Sequence, residues 1–444
     1  MNTAFLRAAA LSALVLSTAA RADEPQTTAW RILADLTTEI GPRLPGSPRE
    51  AAARDWAVAR LSALGLANVR SEAFPIQGWV RGEEQARLTA PYPQALHITA
   101  LGNSAPTPAG GISGELVYFP SFQALQAAPE GSLKGKIAFI DHAMRANQDG
   151  SGYGPYGQAR RQGPSVAAAK GAVAVVIRSI GTDHVRNPHT GVTNFAKGAA
   201  AIPAGAVSNP DADLIARVAR SGKPMQLALT LTGKPQANLP SGNVIAEVPG
   251  RDPSLPAILL GCHLDSWDLG TGAIDDASGY AIITDAALRL RAQGQPLRTV
   301  RLLWAGSEEL GGFGGQAYAA AHADQPHALA MESDFGADRV WRVRFRLAEA
   351  NRPLADRVAA ALAPLGIVRG NTVANGGTDV EPMIERQKLA VIDLDQDGTR
   401  YFDLHHTPDD TLDKVDPVQL EQNVQAWTAV LGIVANEPGP LGGL

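Results

Sequence analysis

The stretch PAILLGCHLDSWDLGTGAIDDASGYAIITDAALRL, from Pro256 to Leu290, decides how the rest of the chain is read. Ala257 to Gly261 is a short apolar run of the kind that forms a buried strand. His263 and Asp265 stand where that strand would end. A glycine-rich loop then closes on Asp275 and Asp276, and Ser278 opens a helical pattern. An imidazole and several carboxylates thus gather at the carboxyl edge of a strand, where open α/β sheets bind ligands. Such a loop is suited to holding metal ions.

Outward from it, a strand–helix rhythm runs to the carboxyl terminus. Strands are predicted at Gly242 to Val248, Ala257 to Gly261, Thr299 to Trp304, Ala328 to Glu332 and Leu389 to Leu394. Helices are predicted at Ser278 to Ala292, Gly315 to His322, Pro353 to Leu362 and Val418 to Val434. Alternation of this kind predicts an α/β fold, a mixed, mostly parallel sheet flanked by helices. Before residue 107 come a helix over Ala29 to Ile40 and a second capped by Ser47, with Pro48 at its first turn. Alternating segments follow at Asn68 to Ile76 and Glu84 to Leu88. Between them and the main rhythm the texture changes to short strands and long glycine-rich loops, notably 151–163 and 179–195. The predicted organisation is therefore a catalytic unit over 23–107 and 239–444, interrupted by an inserted β-rich domain over 108–238.

Residues 1–22 read as a secretory signal peptide: one early arginine, an apolar run from Ala8 to Ala20, and a small-x-small site at Ala20-Arg21-Ala22. The run is too short for a membrane span, which needs about 20 apolar residues. The expected location is export, to the periplasm or beyond. Removing the leader, with Arg7 and Arg21, takes the formal charge from −5 to −7. A mildly acidic chain with no basic stripe argues against nucleic acid and anionic membranes as partners. Cys262 is the single cysteine, so no internal disulfide can form. Beside His263, just past the strand, it reads as a small buried filler.

Three further loops carry acidic or imidazole groups at the same edge of the predicted sheet: Ser307-Glu308-Glu309, Met331-Glu332-Ser333-Asp334, and His405-His406-Thr407 through Asp410-Thr411. Each alone has an ordinary explanation, a solvated acidic face or a helix cap. Their shared edge is what points to chemistry. A pair of zinc ions needs His and carboxylate ligands, one of them bridging, with a further group free to act as base. The glycines at 311, 312, 314 and 315 lack the register and lysine of a phosphate loop, and read as backbone passing close to the site. His184 and His189 read as surface or loop-packing residues.

Together the four loops resemble the co-catalytic zinc exopeptidases of metallopeptidase family twenty-eight. Gly41-Pro42-Arg43-Leu44, Trp79 to Glu84, Lys134 to Ile137 and Pro188 to Gly191 extend the likeness over nearly the whole chain after the leader. The resemblance implies a zinc-exopeptidase fold with the inserted block as a protease-associated domain. It implies two zinc ions per subunit, with His263, Asp275, Glu309, Asp334 and His406 as ligands and Asp275 as the bridge. His263 and Asp334 would serve one ion, Glu309 and His406 the other. Glu308 would be the general base, Asp265 the carboxylate that orients His263, and Asp276 a support. The implied activity is hydrolysis of dipeptides or short peptides by a metal-activated water, and the implied assembly is a homodimer. Aminopeptidase action on longer peptides is the alternative, and an inactive binding protein on the same scaffold is the alternative of another class. The turn at Gly376 to Asp379 resembles one near the family's substrate pocket, or is simply a helix cap.

Overall fold

The strand Ala257–His263 is buried at every position and lies inside an eight-stranded sheet. The computed structural model describes residues 25–442, so the leader expected at 1–22 lies outside the described residues. Across the sheet the order is Ala67–Val80, Lys234–Val248, Val300–Ala305, Ala257–His263, His327–Glu332, Ala390–Gln396, Val340–Arg346 and Val368–Val373. From Val300–Ala305 to Ala390–Gln396 neighbouring strands are parallel, and antiparallel pairings flank them on both sides. Side chains alternate between faces. Ile258, Leu260 and Cys262 join one apolar cluster with the helices Ser278–Gln293 and Pro417–Val434. Leu259 joins another with Phe313–Ala321 and Glu381–Gln387. Covered on both faces, the strand has no wet side, which is why its sequence is an unbroken apolar run.

Val340–Arg346 and Val368–Val373 were not expected. The first alternates apolar residues with arginines, and Arg342 and Arg344 are held by Asp393 and Asp395 of the neighbouring strand. A strand stabilised by cross-strand ion pairs carries only a weak apolar signal.

A second eight-stranded sheet has Ile112–Phe119, Ile137–Ile140, Ala174–Arg178 and Ala204–Val207 as its parallel centre. Glu84–Ala90, Gln94–Leu96 and Ile98–Ala100 belong to it although they precede residue 108, and the long strand Lys234–Val248 runs across residue 238. Alternation marks a strand, but not which of two sheets will receive it. Residues 153–161, within the expected loop 151–163, form the helix Tyr153–Arg161. Its glycines disfavour helix, but burial decides: Tyr153 stacks on Phe402 at 4.7 Å between ring centroids, and Arg160 is buried.

The two sheets meet along a seam that includes the loop after Ala257–His263. Trp267 and Leu310 enter the apolar cluster of the second sheet, where Trp267 meets Trp79 edge-on at 6.4 Å. Arg81, itself mostly buried, bonds Asp268 at 2.7 Å and Glu84 at 2.5 Å. On the other side of the cleft Thr190 N–H donates to His406 O and Thr182 N–H to Phe402 O, both at 3.0 Å. No helix among the described residues is long and apolar enough to cross a membrane.

Candidate metal centre and cleft

Ala257–His263 ends by placing His263 at the sheet edge, 1% exposed. The chain then turns through Gly272, whose φ of +62° is left-handed and whose missing Cβ leaves room for Ser266 and Arg43. One wide helical turn, Ala273–Ala277, joins the loop to Ser278–Gln293 and contains a cis peptide between Asp275 and Asp276. Asp410 fixes this turn from below, accepting Ile274 N–H at 2.6 Å and Asp275 N–H at 3.3 Å.

Asp275 sits at the centre. Its Oδ1 lies 3.0 Å from His263 Nε2 and its Oδ2 lies 3.2 Å from His406 Nε2. Asp334 Oδ1 is 3.3 Å from the same nitrogen of His263, and Glu309 Oε2 is 3.0 Å from that of His406. The five expected ligands therefore fall into two halves about one two-faced carboxylate, as a two-metal site needs. Asp276 comes near His263 and Asp334 as well, but its oxygens accept His263 N–H at 3.2 Å and Gly279 N–H at 3.0 Å. That is a supporting role.

Asp265 does something more specific than orient an imidazole. The nearer acceptor to His263 Nδ1 is Asp265's backbone oxygen, at 3.0 Å, while the carboxylate is 3.9 Å away. The carboxylate instead accepts Glu308 N–H at 3.0 Å and Glu309 N–H at 3.1 Å. One residue thus fixes His263 and the two glutamates in one frame. Ser307 and His406 hold left-handed φ values of +60° and +63°. Side chains other than glycine's rarely accept that region, at a cost of roughly 1–3 kcal/mol each, and such strain gathers at functional sites. At the start of Phe313–Ala321 a Cβ on Gly314 would come within 2.5 Å of Gly306 O, which explains one of the glycines there as close backbone passage.

His405 and His406 stack at 3.5 Å between ring centroids, and both face Asp275. His406 Nδ1 has Thr190 O at 3.2 Å; His405 Nδ1 has no hydrogen-bond partner. A carbonyl on Nδ1 fixes the tautomer that leaves Nε2 free to ligate, so His406 has the better ligand geometry. His189, as a packing residue, points Nδ1 at His405 O at 2.8 Å and Nε2 at Asp183 at 2.5 Å. His184 is on the surface. Cys262 is buried, its thiol pushed up by burial.

The electrostatics ask for cations. Burial pushes the carboxyls of Glu309, Asp276 and Glu332 well above their usual range, and neighbouring carboxylates add to it. Burial would lower His263, yet Asp334 and Asp275 outweigh it and hold the imidazole well above 6.5. Glu309 Oε1 is buried without a partner. Two dications satisfy all of this at once, so the donor set fits a zinc pair. Burial lowers His406 to about 4, which keeps it neutral as a ligand must be. Glu308, mainly through burial, is raised to about 7, and it lines the cleft above the ligands.

That cleft has a volume of about 620 Å³, within the range of small-molecule sites. Gly377 and Thr378 of the suspected turn line it; Asp379 is buried beneath. The second sheet's side supplies Tyr153, Arg160, Arg161, Val192 and Asn194. None of these carries a signal in the sequence, because their segments read as glycine-rich loops. Arg160 is the most tightly held: it donates to Thr190 O at 3.3 Å and to the Tyr153 hydroxyl, with Nη1 3.4 Å from His406 Nδ1.

Residues 243–431 match Peptidase family M28. Carboxypeptidase Q of Bos taurus is 33% identical over 93% of this chain and 86% of its own length, and that of Homo sapiens is equally similar over the same shares. The crystal structure of a Peptidase M28 precursor from Shewanella amazonensis is 44% identical, with a TM-score of 0.91 over 94% of this chain and 95% of that one. A zinc aminopeptidase from Bacillus subtilis, 19% identical, shares the fold with a TM-score of 0.66 over 95% of this chain and 98% of its own.

Proposed function

The chain belongs to peptidase family M28 and is a metallopeptidase, and from that premise we propose that it is an exported di-zinc exopeptidase cleaving dipeptides or short peptides. The observation that carries the reading is Asp275, with one oxygen facing His263 and the other facing His406. His263 and Asp334 would hold one zinc, Glu309 and His406 the other, with Asp275 shared. When bound, the ions supply Lewis acidity, acidifying a water and polarising the peptide carbonyl.

The protein's own groups do the rest. Asp265 locks the backbone of Glu308 and Glu309, so base and ligand keep a fixed separation. Glu308, with a carboxyl raised to about 7, takes a proton from water and returns it to the leaving amine. Thr190 O holds the His406 Nδ1–H from behind, and Arg160 braces that carbonyl. Export is supported by the leader-like sequence of residues 1–22, and the likeness to carboxypeptidase Q favours substrates with a free carboxyl terminus.

The test is metal analysis of the purified protein together with hydrolysis of a free dipeptide and its amino-blocked and carboxyl-blocked forms. Two zinc equivalents per chain and cleavage of the free dipeptide are expected. Full activity without bound metal, or cleavage confined to internal bonds of blocked peptides, would overturn the reading. Deleting residues 1–22 should keep the protein inside the cell.

A further inference from the structure

Arg43 is fully buried against the loop that separates His263 from Asp275. Its Nε donates to Leu264 O at 2.7 Å, immediately after His263. Its Nη1 donates to Thr271 O at 2.7 Å and its Nη2 to Gly272 O at 3.0 Å, just before the turn that carries Asp275. Nη1 also holds Gly41 O at 2.9 Å, in its own segment. The backbone of Arg43 is tied to the same loop: its N–H donates to Ser266 Oγ at 3.1 Å, and its carbonyl accepts Ser266 N–H at 3.2 Å. Among the described residues no carboxylate lies within ion-pair distance of this cation, and backbone carbonyls alone receive its guanidinium.

Asp410 grips the same loop with the opposite charge. Its carboxylate accepts Ile274 N–H and Asp275 N–H, and its carbonyl accepts Thr271 N–H at 2.8 Å. The cation thus takes the loop's carbonyls and the anion takes its N–H groups, with the chain threaded between them. Taking a charge out of water is costly, and an apolar side chain of similar volume usually fills such a space at less cost. What the planar guanidinium fork supplies instead is a rigid set of donors, here spanning residues 264 to 272. His263 and Asp275 flank that span, with Nε2 and Oδ1 3.0 Å apart.

Arg298 repeats this chemistry at the other end of the strand. It is 1% exposed and donates to Pro256 O at 3.1 Å, Glu437 O at 2.9 Å and Gly439 O at 2.6 Å. Pro256 precedes Ala257–His263, so Arg298 holds that strand where it is farthest from the metal centre.

We propose that Arg43 is a positioning residue of the metal centre: by fixing the span from Leu264 to Gly272 it sets how His263 stands to Asp275, and so the seat of the ion they share. Its hydrogen bonds reach neither ligand side chain, so it acts through the loop backbone. The inference rests on the di-zinc reading above.

The experiment compares wild type, Arg43→Lys and Arg298→Lys. It reads zinc retained against graded chelator, kcat and KM on Ala-Ala, and the Tm of the metal-free proteins. In both variants lysine keeps the charge and loses the fork. Arg43→Lys should hold the zinc of His263 and Asp334 about 10- to 100-fold less tightly, the scale for an outer partner of a metal ligand. Its kcat should fall by about 10²-fold with KM nearly unchanged, as expected when reacting groups are slightly misplaced. Arg298→Lys should lower Tm but keep zinc affinity and kcat. Should Arg43→Lys fail to fold, Ser266→Ala carries the same test, because it removes the acceptor of Arg43 N–H and leaves the charge in place; zinc retention equal to wild type would then overturn the clamp. An Arg43→Lys protein that melts lower yet keeps zinc and kcat, or zinc loss of equal size in Arg298→Lys, would overturn it as well and leave the di-zinc reading intact. Full activity of zinc-free wild type would remove that reading, and the clamp with it.

Discussion

His263 and His406 face opposite oxygens of the same carboxylate, but they are held in different ways. His263 is fixed by its own segment: the backbone oxygen of Asp265, two residues on, faces Nδ1, and Asp276 accepts its N–H. His406 is fixed from the other sheet, by Thr190 O at its Nδ1, by Arg160 beside it, and by Trp267 at 5.8 Å, a catalytic-side residue packed into the second sheet's core. One half of the centre is built locally and the other half is completed only when the two sheets dock. The lesson is that the second sheet holds one half of the proposed metal centre in place.

The largest effect should come from the proposed base, which belongs to neither half. Glu308→Gln keeps the shape and the Asp265 bonds to the backbone, so both zinc ions should stay. The rate should fall by about 10²- to 10⁴-fold, the range for loss of a general base. Retained activity in a variant with full zinc content would remove Glu308 from that role. His406→Ala comes next: it should lower zinc content, whereas His405→Ala, lacking an anchored Nδ1, should not. The reverse pattern of zinc loss would exchange the two histidines and, with them, the dependence on the second sheet.

The same division explains what could be read in the sequence. The strand–loop–helix around His263 is a local object: an apolar run, a glycine turn and a helix start, all within 35 residues of sequence. Its candidate ligands, and those of the Glu308 and Asp334 loops, follow strands whose burial makes them plain. Thr190 and Arg160, beside His406, lie more than 200 positions away along the chain, in segments whose glycines read as loop. Nothing in residues 151–163 announces a helix, because Tyr153–Arg161 is stabilised by stacking on Phe402 and by the bond from Arg160 to Thr190 O, and not by its own composition. The strand Glu84–Ala90 was visible, but its partner Met225–Leu231 lies far beyond it in sequence. Long-range pairing chose the sheet, and no local pattern records that choice.

The smallest effect is the one that tests the comparison most directly. Arg160 lines the cleft, braces Thr190 O and stands beside His406 Nδ1. Arg160→Ala should therefore weaken one zinc by about 10- to 100-fold, the usual scale for an outer partner of a metal ligand, and leave the other unchanged. Stepwise chelation, read as zinc retained per chain, separates the two. Asp265→Asn is the matched perturbation on the local side: it disturbs the acceptor of the Glu308 and Glu309 N–H groups without touching the second sheet. It should slow turnover by displacing the base before it releases metal. If Arg160→Ala loosened both ions equally, the two halves would be one mechanical unit, and the second sheet would brace the whole centre through Asp275 instead of His406 alone.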